Sequence, residues 1–431
     1  MSVPSVAIAK DRLKNLLMSD RIQCTQDMTE RLSKDLYQVI AKYMELDPEK
    51  VTIEITRTDI HINIWKNKIY RRKSLKKLFS NMKQRYSLRD YKFSLVVLVL
   101  AISVIGIFMV RSARPEYMTR QILGVVLGVA VMVVISLIDY NWVLNFYWLL
   151  YGINLILLIA VLLVGTSSHG ATRWLDLGFV QFQPSDLAKI LTILFFARFL
   201  MDREESIKSP KTILQAVVLI LPTLALIVMQ PNLSTTICVA ALFCALLYIA
   251  GLSYKIVGPA LLILIPAVII FLTIAVQPNQ PLLKDYQQKR ILAWLEPEKY
   301  TDEDSYQQLN SVKAIGSGQL LGKGYDNDEA TSVKNGNFVS EPQTDFIFAI
   351  IGEELGFVGC CVVIFLLLLI VIDCILIGLK AKDTGGRIIC GGVASLVGIQ
   401  TFINISVTTM IFPNTGLSLP FVSYGLTSIV C

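Results

Sequence analysis

The chain has 431 residues, of which 54% are hydrophobic and only 17% charged, and its formal net charge is +7. A soluble domain carries about 25% charged residues, so the composition excludes an ordinary soluble protein and points to a membrane protein. The cations crowd beside the first apolar run, which argues for a membrane surface and against nucleic acid as the partner.

Residues 1–64 read as a small α+β unit with no secretory signal. In "TERLSKDLYQVIAKYMEL", Leu32, Leu36, Val39, Ile40, Tyr43 and Met44 share one face of an amphipathic helix. "DPEK" is a turn, "VTIEIT" alternates as a half-buried strand, and "IHINI" alternates again. One helix and two strands bury little surface, so the unit is expected to form a homodimer through a strand edge. Residues 65–92 form a basic linker with eleven Lys and Arg between Lys66 and Lys92. It is expected to lie on anionic lipid at the cytoplasmic face and to set the topology.

Apolar runs near the ~20 residues needed to cross a bilayer follow. They fall at 93–110, 122–138, 142–165, 185–201, 212–229, 234–251, 257–276, 350–379 and 388–412; a tenth begins near Val422 and reaches Cys431. The expected fold is a polytopic α-helical membrane protein of about ten spans, the last one truncated, with a small N-terminal cytoplasmic α+β domain. Cations in the loops 202–211, 252–256 and 380–387 place these inside, and the loops 166–184 and 277–349 outside. Six of the eight cysteines lie in apolar runs, and neither a disulfide framework nor a zinc spacing results.

The outer loops carry the unusual residues. "SSHGATRWLDLGFVQFQPSDLAKI" holds Arg173 and Trp174 between glycines, then Asp186 and Lys189 at i and i+3 on a helix that Pro184 and Ser185 start. Trp174 reads equally as an interfacial anchor, and Asp186–Lys189 equally as a structural ion pair. "MQPNLST" is a polar break containing Gln230, suited to line a cavity or lie at the interface. "KDYQQKRILAWLEPEKY" reads as a surface amphipathic helix bearing Arg290. "KAIGSGQLLGKGY" holds Gly316 and Gly318; it lacks the setting of a nucleotide-binding P-loop but lets backbone amides approach an anion. Asp345 stands where the long outer loop enters the next span, with Glu353 and Glu354 just inside. Ionisable groups there are costly and mark function, although a helix N-cap is the plainer reading of Asp345. Cations holding a lipid-linked phosphate, beside a carboxylate that takes a proton, would suit glycosyl transfer from a lipid pyrophosphate.

"GATRWLDLGFVQFQPSDLAKI", "MQPNLST", "DYQQKRI", "SVKAIGSGQLLGKG", "PQTDFIFAIIGEELGFVG" and "LSLPFVSYG", in this order, resemble the RodA/FtsW/SpoVE family of shape, elongation, division and sporulation proteins over about 88–431. The resemblance implies a ten-span peptidoglycan glycosyltransferase that polymerises lipid II at the outer face of the bacterial plasma membrane, with inversion at the sugar. It implies a class B penicillin-binding transpeptidase as partner. The family's essential aspartate falls on Asp345, which gives it the role of general base, and its Arg-Trp pair on Arg173 and Trp174. The family's "QPSE" is Gln183 to Asp186 here, its "QPD" is Gln230-Pro231-Asn232, and its "SYGG" is Ser423 to Leu426. Arg173, Trp174, Asp186, Lys189, Gln230, Arg290, Gly316 and Gly318 are the expected substrate-binding residues. No cofactor is certain; a divalent cation at the pyrophosphate suits the chemistry, but the sequence holds no ligand cluster for it.

The front end, with "AIAKDRLKNLL", "DLYQVIAKYMELDPEKVTIEI" and "DIHINI", resembles MinE, the division topological specificity factor, over about 6–64. That resemblance places Ala9, Arg12, Leu13 and Leu16 on a MinD-contacting segment and implies a dimer. The domains are then 1–64 MinE-like, 65–92 linker and 93–431 glycosyltransferase. A lipid II flippase, a non-catalytic division scaffold and an accidental joining of two neighbouring genes remain as alternatives.

Overall fold

A computed structural model describes residues 51–55, 60–64 and 91–431, apart from 169–170, 177–180, scattered residues between 254 and 284, 297–298, 300–302, 328–331, 333, 337, 340 and 415. The predicted helix at 29–46, the segment Ala9–Leu16, the basic linker and most of the span at 257–276 lie outside the described residues. The chain divides into two compact units, Met1–Tyr86 and Ser87–Cys431.

In the first unit, β1 (Val51–Ile55) and β2 (Ile60–Ile64) pair antiparallel. The register sets Val51 opposite Ile64, Ile53 opposite Ile62 and Ile55 opposite Ile60. The alternating apolar positions of both strands therefore fall on one face, as period-2 patterning requires.

The second unit is a helical bundle. Its helices are α1 (Phe93–Ala113), α2 (Met118–Ser136), the short α3 (Tyr140–Leu144), α4 (Tyr147–Val164), α5 (Pro184–Met201), α6 (Pro210–Met229) and α7 (Leu233–Ile249). They are followed by α8 (Asp285–Leu295), α9 (Glu303–Ser317), α10 (Ile347–Leu379), α11 (Thr384–Thr408) and the short α12 (Leu426–Val430). Six of the described helical segments are long and apolar enough to cross a membrane: Phe93–Ala113, Pro115–Ser136, Tyr147–Val164, Pro210–Met229, Ile347–Leu379 and Thr384–Thr408. α5 lies where the sequence predicts a span, and α7 is an apolar helix of shorter length. Leu163, Val164, Leu123 and Val126 are exposed, as lipid-facing residues should be.

Among the described residues two large apolar cores hold the bundle, with a third, smaller one around Cys238, Ile403, Val407 and Leu417. One joins α1, α10 and the 419–422 segment through Ile102, Met109, Ile350, Val363, Leu367 and Val422. The other joins α4 to α7 around Phe195, Phe196 and Phe199, with the Tyr151 ring stacked on Phe195 at 4.6 Å between centroids. α1 and α10 run antiparallel: Ser94 Oγ donates to Asp373 Oδ2 at 2.7 Å near one end, and Ser112 Oγ to Glu354 Oε1 at 2.5 Å near the other. The start of α1 is therefore at the opposite end of the bundle from Asp345.

The sequence pattern predicts only loop over 166–184. The structure folds it into a three-stranded antiparallel sheet of β3 (Thr166–Ser168), β4 (Ala171–Asp176) and β5 (Gln181–Phe182). Strands this short carry too few residues for alternation to show, and their backbone pairing satisfies groups that an open loop would leave to water.

Candidate active site

Asp345 ends the turn that leads into α10. Phe346 occupies the N-cap position, and no side chain caps the helix, so the plainer reading of Asp345 as the N-cap does not hold. The turn is fixed from several sides. Ser423 Oγ donates to the Thr344 carbonyl at 2.6 Å and accepts from Leu419 N at 2.7 Å. Tyr424 N donates to the Gln343 carbonyl at 2.8 Å. Asn404 Nδ2, on α11, donates to the Asp345 carbonyl at 2.9 Å and to the Leu417 carbonyl at 2.6 Å. The "PFVSYG" segment is held in turn by α2, where Gln121 Nε2 donates to the Val422 and Ser423 carbonyls, and by the Tyr117 ring 4.5 Å from Tyr424.

Burial pushes the Asp345 carboxyl up to about 6; the Arg173 and Arg290 guanidiniums oppose the rise, and Glu341 adds to it. Desolvation thus outweighs the two guanidiniums. The group is still about nine-tenths ionised at pH 7, and a carboxylate with its pKa near 6 is matched to proton abstraction near neutrality.

Arg173 reaches the site from β4, where it also donates to the Pro231 carbonyl at the break between α6 and α7. Trp174 follows it, half-buried. Arg290 stands on α8, whose Trp294 Nε1 donates to the Met410 carbonyl at 3.2 Å. α9 is tied down similarly: Gln308 Nε2 donates to the Val407 and Phe412 carbonyls at 2.9 Å each, and Ser311 Oγ to the Thr408 carbonyl at 2.8 Å. The two helices of the 277–349 segment thus sit on carbonyls at and just beyond the C-terminal end of α11.

The remaining expected residues are placed as follows. Asp186 and Lys189 form a buried ion pair at 2.8 Å in the first turns of α5. Gln230 is buried, and its Nε2 donates to the Leu158 carbonyl at 2.9 Å. Asn232 caps α7 by accepting from Thr235 N. Gly316 has open space where a Cβ would stand, whereas at Gly318 a Cβ would collide with the Gly352 carbonyl oxygen. Gly318 is thus committed to close packing on the second turn of α10.

That packing has a cause that no local sequence signal reveals. α10 breaks at Gly356, whose φ of 64° and ψ of −163° are non-helical. Across the break Phe357 N donates to the Gln319 carbonyl and Val358 N to the Leu320 carbonyl. Lys323 N and Gly324 N donate in turn to the Glu353 and Glu354 carbonyls. The 319–324 loop supplies the partners that the helix loses. Glu353 and Glu354, both 2% exposed, pair with Lys323 at 2.9 Å and Lys334 at 3.1 Å. Among the described residues, no group of three or more His, Cys, Asp or Glu is placed to hold a metal ion.

Long apolar helices, with a carboxylate under the influence of two arginines beyond the start of one of them, define a multi-pass membrane protein. The chain belongs to the FtsW/RodA/SpoVE family of cell cycle proteins, whose family model matches residues 88–431. The model of MinE, the septum formation topological specificity factor, matches residues 2–69. The peptidoglycan glycosyltransferase MrdB of Escherichia coli is 36% identical over 343 residues, covering 78% of this chain and 89% of that protein. A probable peptidoglycan glycosyltransferase FtsW of Geobacter metallireducens is 30% identical over 372 residues, covering 81% and 94%. Among solved structures, a chain of a peptidoglycan synthase complex that coordinates polymerization and crosslinking matches with a TM-score of 0.65 and 28% identity, covering 79% of this chain and 94% of that one. The Thermus thermophilus rod shape determining protein RodA matches at 0.58 and 26%, covering 79% and 92%.

Proposed function

We propose that this chain is a peptidoglycan glycosyltransferase that polymerises lipid II, with Asp345 as general base. The observation that carries the reading is Asp345 itself: half-buried, with its pKa pushed up to about 6, under the influence of Arg173 and Arg290. The acceptor sugar hydroxyl gives its proton to Asp345 as its oxygen attacks the anomeric carbon of the donor. The new C–O bond forms as the bond from that carbon to the pyrophosphate oxygen breaks, and the configuration inverts. Arg173 and Arg290 offset the charge of the departing pyrophosphate. Trp174 offers a face to a sugar or a lipid chain, and Gln230, Gly318, Asp186 and Lys189 shape the wall behind; Gly316, expected from the sequence to present its amide to a phosphate, lies inside α9, where that amide serves the helix. A divalent cation there would take its ligands largely from the pyrophosphate.

The catalytic end faces outward. The basic linker precedes α1, whose start lies opposite Asp345, and a cytoplasmic linker leaves Asp345 on the outer surface. Ten spans, counting α5, α7, the segment around 257–276 and a last one that starts at Leu426 rather than at the expected Val422, complete the bundle. A class B penicillin-binding transpeptidase is the partner on that side. On the cytoplasmic side residues 1–64 form a MinE-like dimer that holds MinD through Ala9, Arg12, Leu13 and Leu16.

The test is Asp345→Asn, with glycan polymerisation from lipid II in detergent read on a product gel. Loss of about 10²- to 10⁴-fold is expected. Full activity of the variant rejects the assignment, and movement of lipid II across a bilayer without chain growth points to a transporter.

A further inference from the structure

We propose that Asn404 is a positioning residue for the reaction, clamping Asp345 and the Gly416–Leu417 backbone together so that the carboxylate is held against Gly416. The proposal rests on the reading of Asp345 as the base.

The geometry is of one amide serving two carbonyls. Asn404 Nδ2 donates to the Asp345 carbonyl at 2.9 Å and to the Leu417 carbonyl at 2.6 Å. These belong to segments far apart in sequence, the turn before α10 and the stretch after α11, and Asn404 is 1% exposed between them. An amide with both N–H groups engaged cannot rotate without breaking both bonds and orphaning the buried Leu417 carbonyl. Its orientation is fixed by its acceptors.

The clamp determines what stands beside the carboxylate. Gly416 has a φ of 70°, and a Cβ there would lie 3.1 Å from Asp345 Oδ2. Glycine meets both demands: it tolerates the left-handed backbone and leaves room for the oxygen. Asn404 Oδ1 is buried with no hydrogen-bond partner.

The charged groups that bear on Asp345 are Arg173 from β4, Arg290 from α8 and Glu341 from its own turn. Residues 400–419, which supply Asn404 and Gly416, contain no charged side chain. This side acts on Asp345 through position and exclusion of water, not through charge.

The experiment compares full-length wild type, Asn404→Ala, Gly416→Ala and Asp345→Asn in detergent, recording kcat, KM for lipid II, the pH–rate profile and the thermal midpoint. For Asn404→Ala, kcat is expected to fall about 10- to 100-fold with KM changed less than about threefold. Water then reaches the carboxylate, and the acid limb of the profile moves to lower pH. In Gly416→Ala the added methyl crowds the carboxylate, and the limb moves to higher pH. A loss of activity that follows loss of folded protein, with the acid limb of Asn404→Ala unmoved, overturns the clamp while leaving the base in place. Full activity of Asp345→Asn overturns the base assignment, and the clamp with it.

Discussion

Lys334→Met tests the charge network behind the broken helix. Lys334 Nζ lies 3.1 Å from Glu354 Oε1 and 2.9 Å from Asp326 Oδ1, and also donates to Ser112 Oγ at 3.0 Å. The side chains of Lys334 and Glu354 are 6% and 3% exposed. Removing the cation strips Glu354 of its ion-pair partner and leaves it the Ser112 hydroxyl and the Asp326 amide as donors. Stranding one member of a buried pair costs about 3–5 kcal/mol. At the second pair the Lys323 side chain is 21% exposed but Glu353 is as buried as Glu354, so Lys323→Met should also destabilise, by about 2 kcal/mol. The assay is chemical unfolding of the detergent-solubilised protein followed by tryptophan fluorescence. Lys334→Met combined with Glu354→Met removes both charges and should recover most of the loss. A Lys334→Met variant within about 0.5 kcal/mol of wild type, or a double variant no better than the single, refutes the reasoning.

Activity should fall through an acid limb near pH 6, where Asp345 takes up its proton, as a pH–rate profile would show. Stability should move the other way: the folded pKa lies above the ordinary 3.8, so the folded state gains on the unfolded as pH drops from about 6 toward 4. Asp345→Asn is accordingly expected to be inactive yet at least as stable as wild type at pH 7.5, by thermal melting. The glycines at 316 and 318 should respond with opposite sign in the same unfolding assay. Gly316→Ala should stabilise by about 0.5–1 kcal/mol, whereas Gly318→Ala, which collides with the Gly352 carbonyl, should destabilise by about 3 kcal/mol. Charge reversal at Arg12 together with Leu13→Asp should abolish capture of MinD in a pull-down while leaving lipid II polymerisation in detergent unchanged.

The long helices were legible in the sequence because a lipid-facing segment must be apolar around most of its surface and about as long as the bilayer is thick. α1, α6 and α10 begin within three residues of the predicted starts at 93, 212 and 350. The Asp186–Lys189 spacing announced an ion pair because i and i+3 share a helix face. The sheet at 166–182 gave no such signal. The break at Gly356 was hidden too: a glycine in an apolar run is compatible with an unbroken helix, and only the 319–324 loop, more than thirty residues earlier, explains it. Asn404 was visible as a polar residue inside "TFINISVTT", but its two carbonyl partners come from segments that only the fold brings together. The direction of the Asp345 titration is likewise a property of its surroundings. Charge counting favours the ionised form, and burial, which sequence does not display, prevails.

The stitching of residues 319–324 into α10 has an evolutionary corollary. Each of its four backbone contacts serves an amide or carbonyl at the mouth of a hydrocarbon-embedded segment, where no solvent can substitute. Gly318, Gly322 and Gly356 are mutually required by those contacts, since a methyl group at any one of them would strike the backbone of the opposing strip. Chimaeras that graft the 277–349 region of one homologue onto the helices of another should therefore cut upstream of 318 and downstream of 358, inheriting the strip and its receptor together.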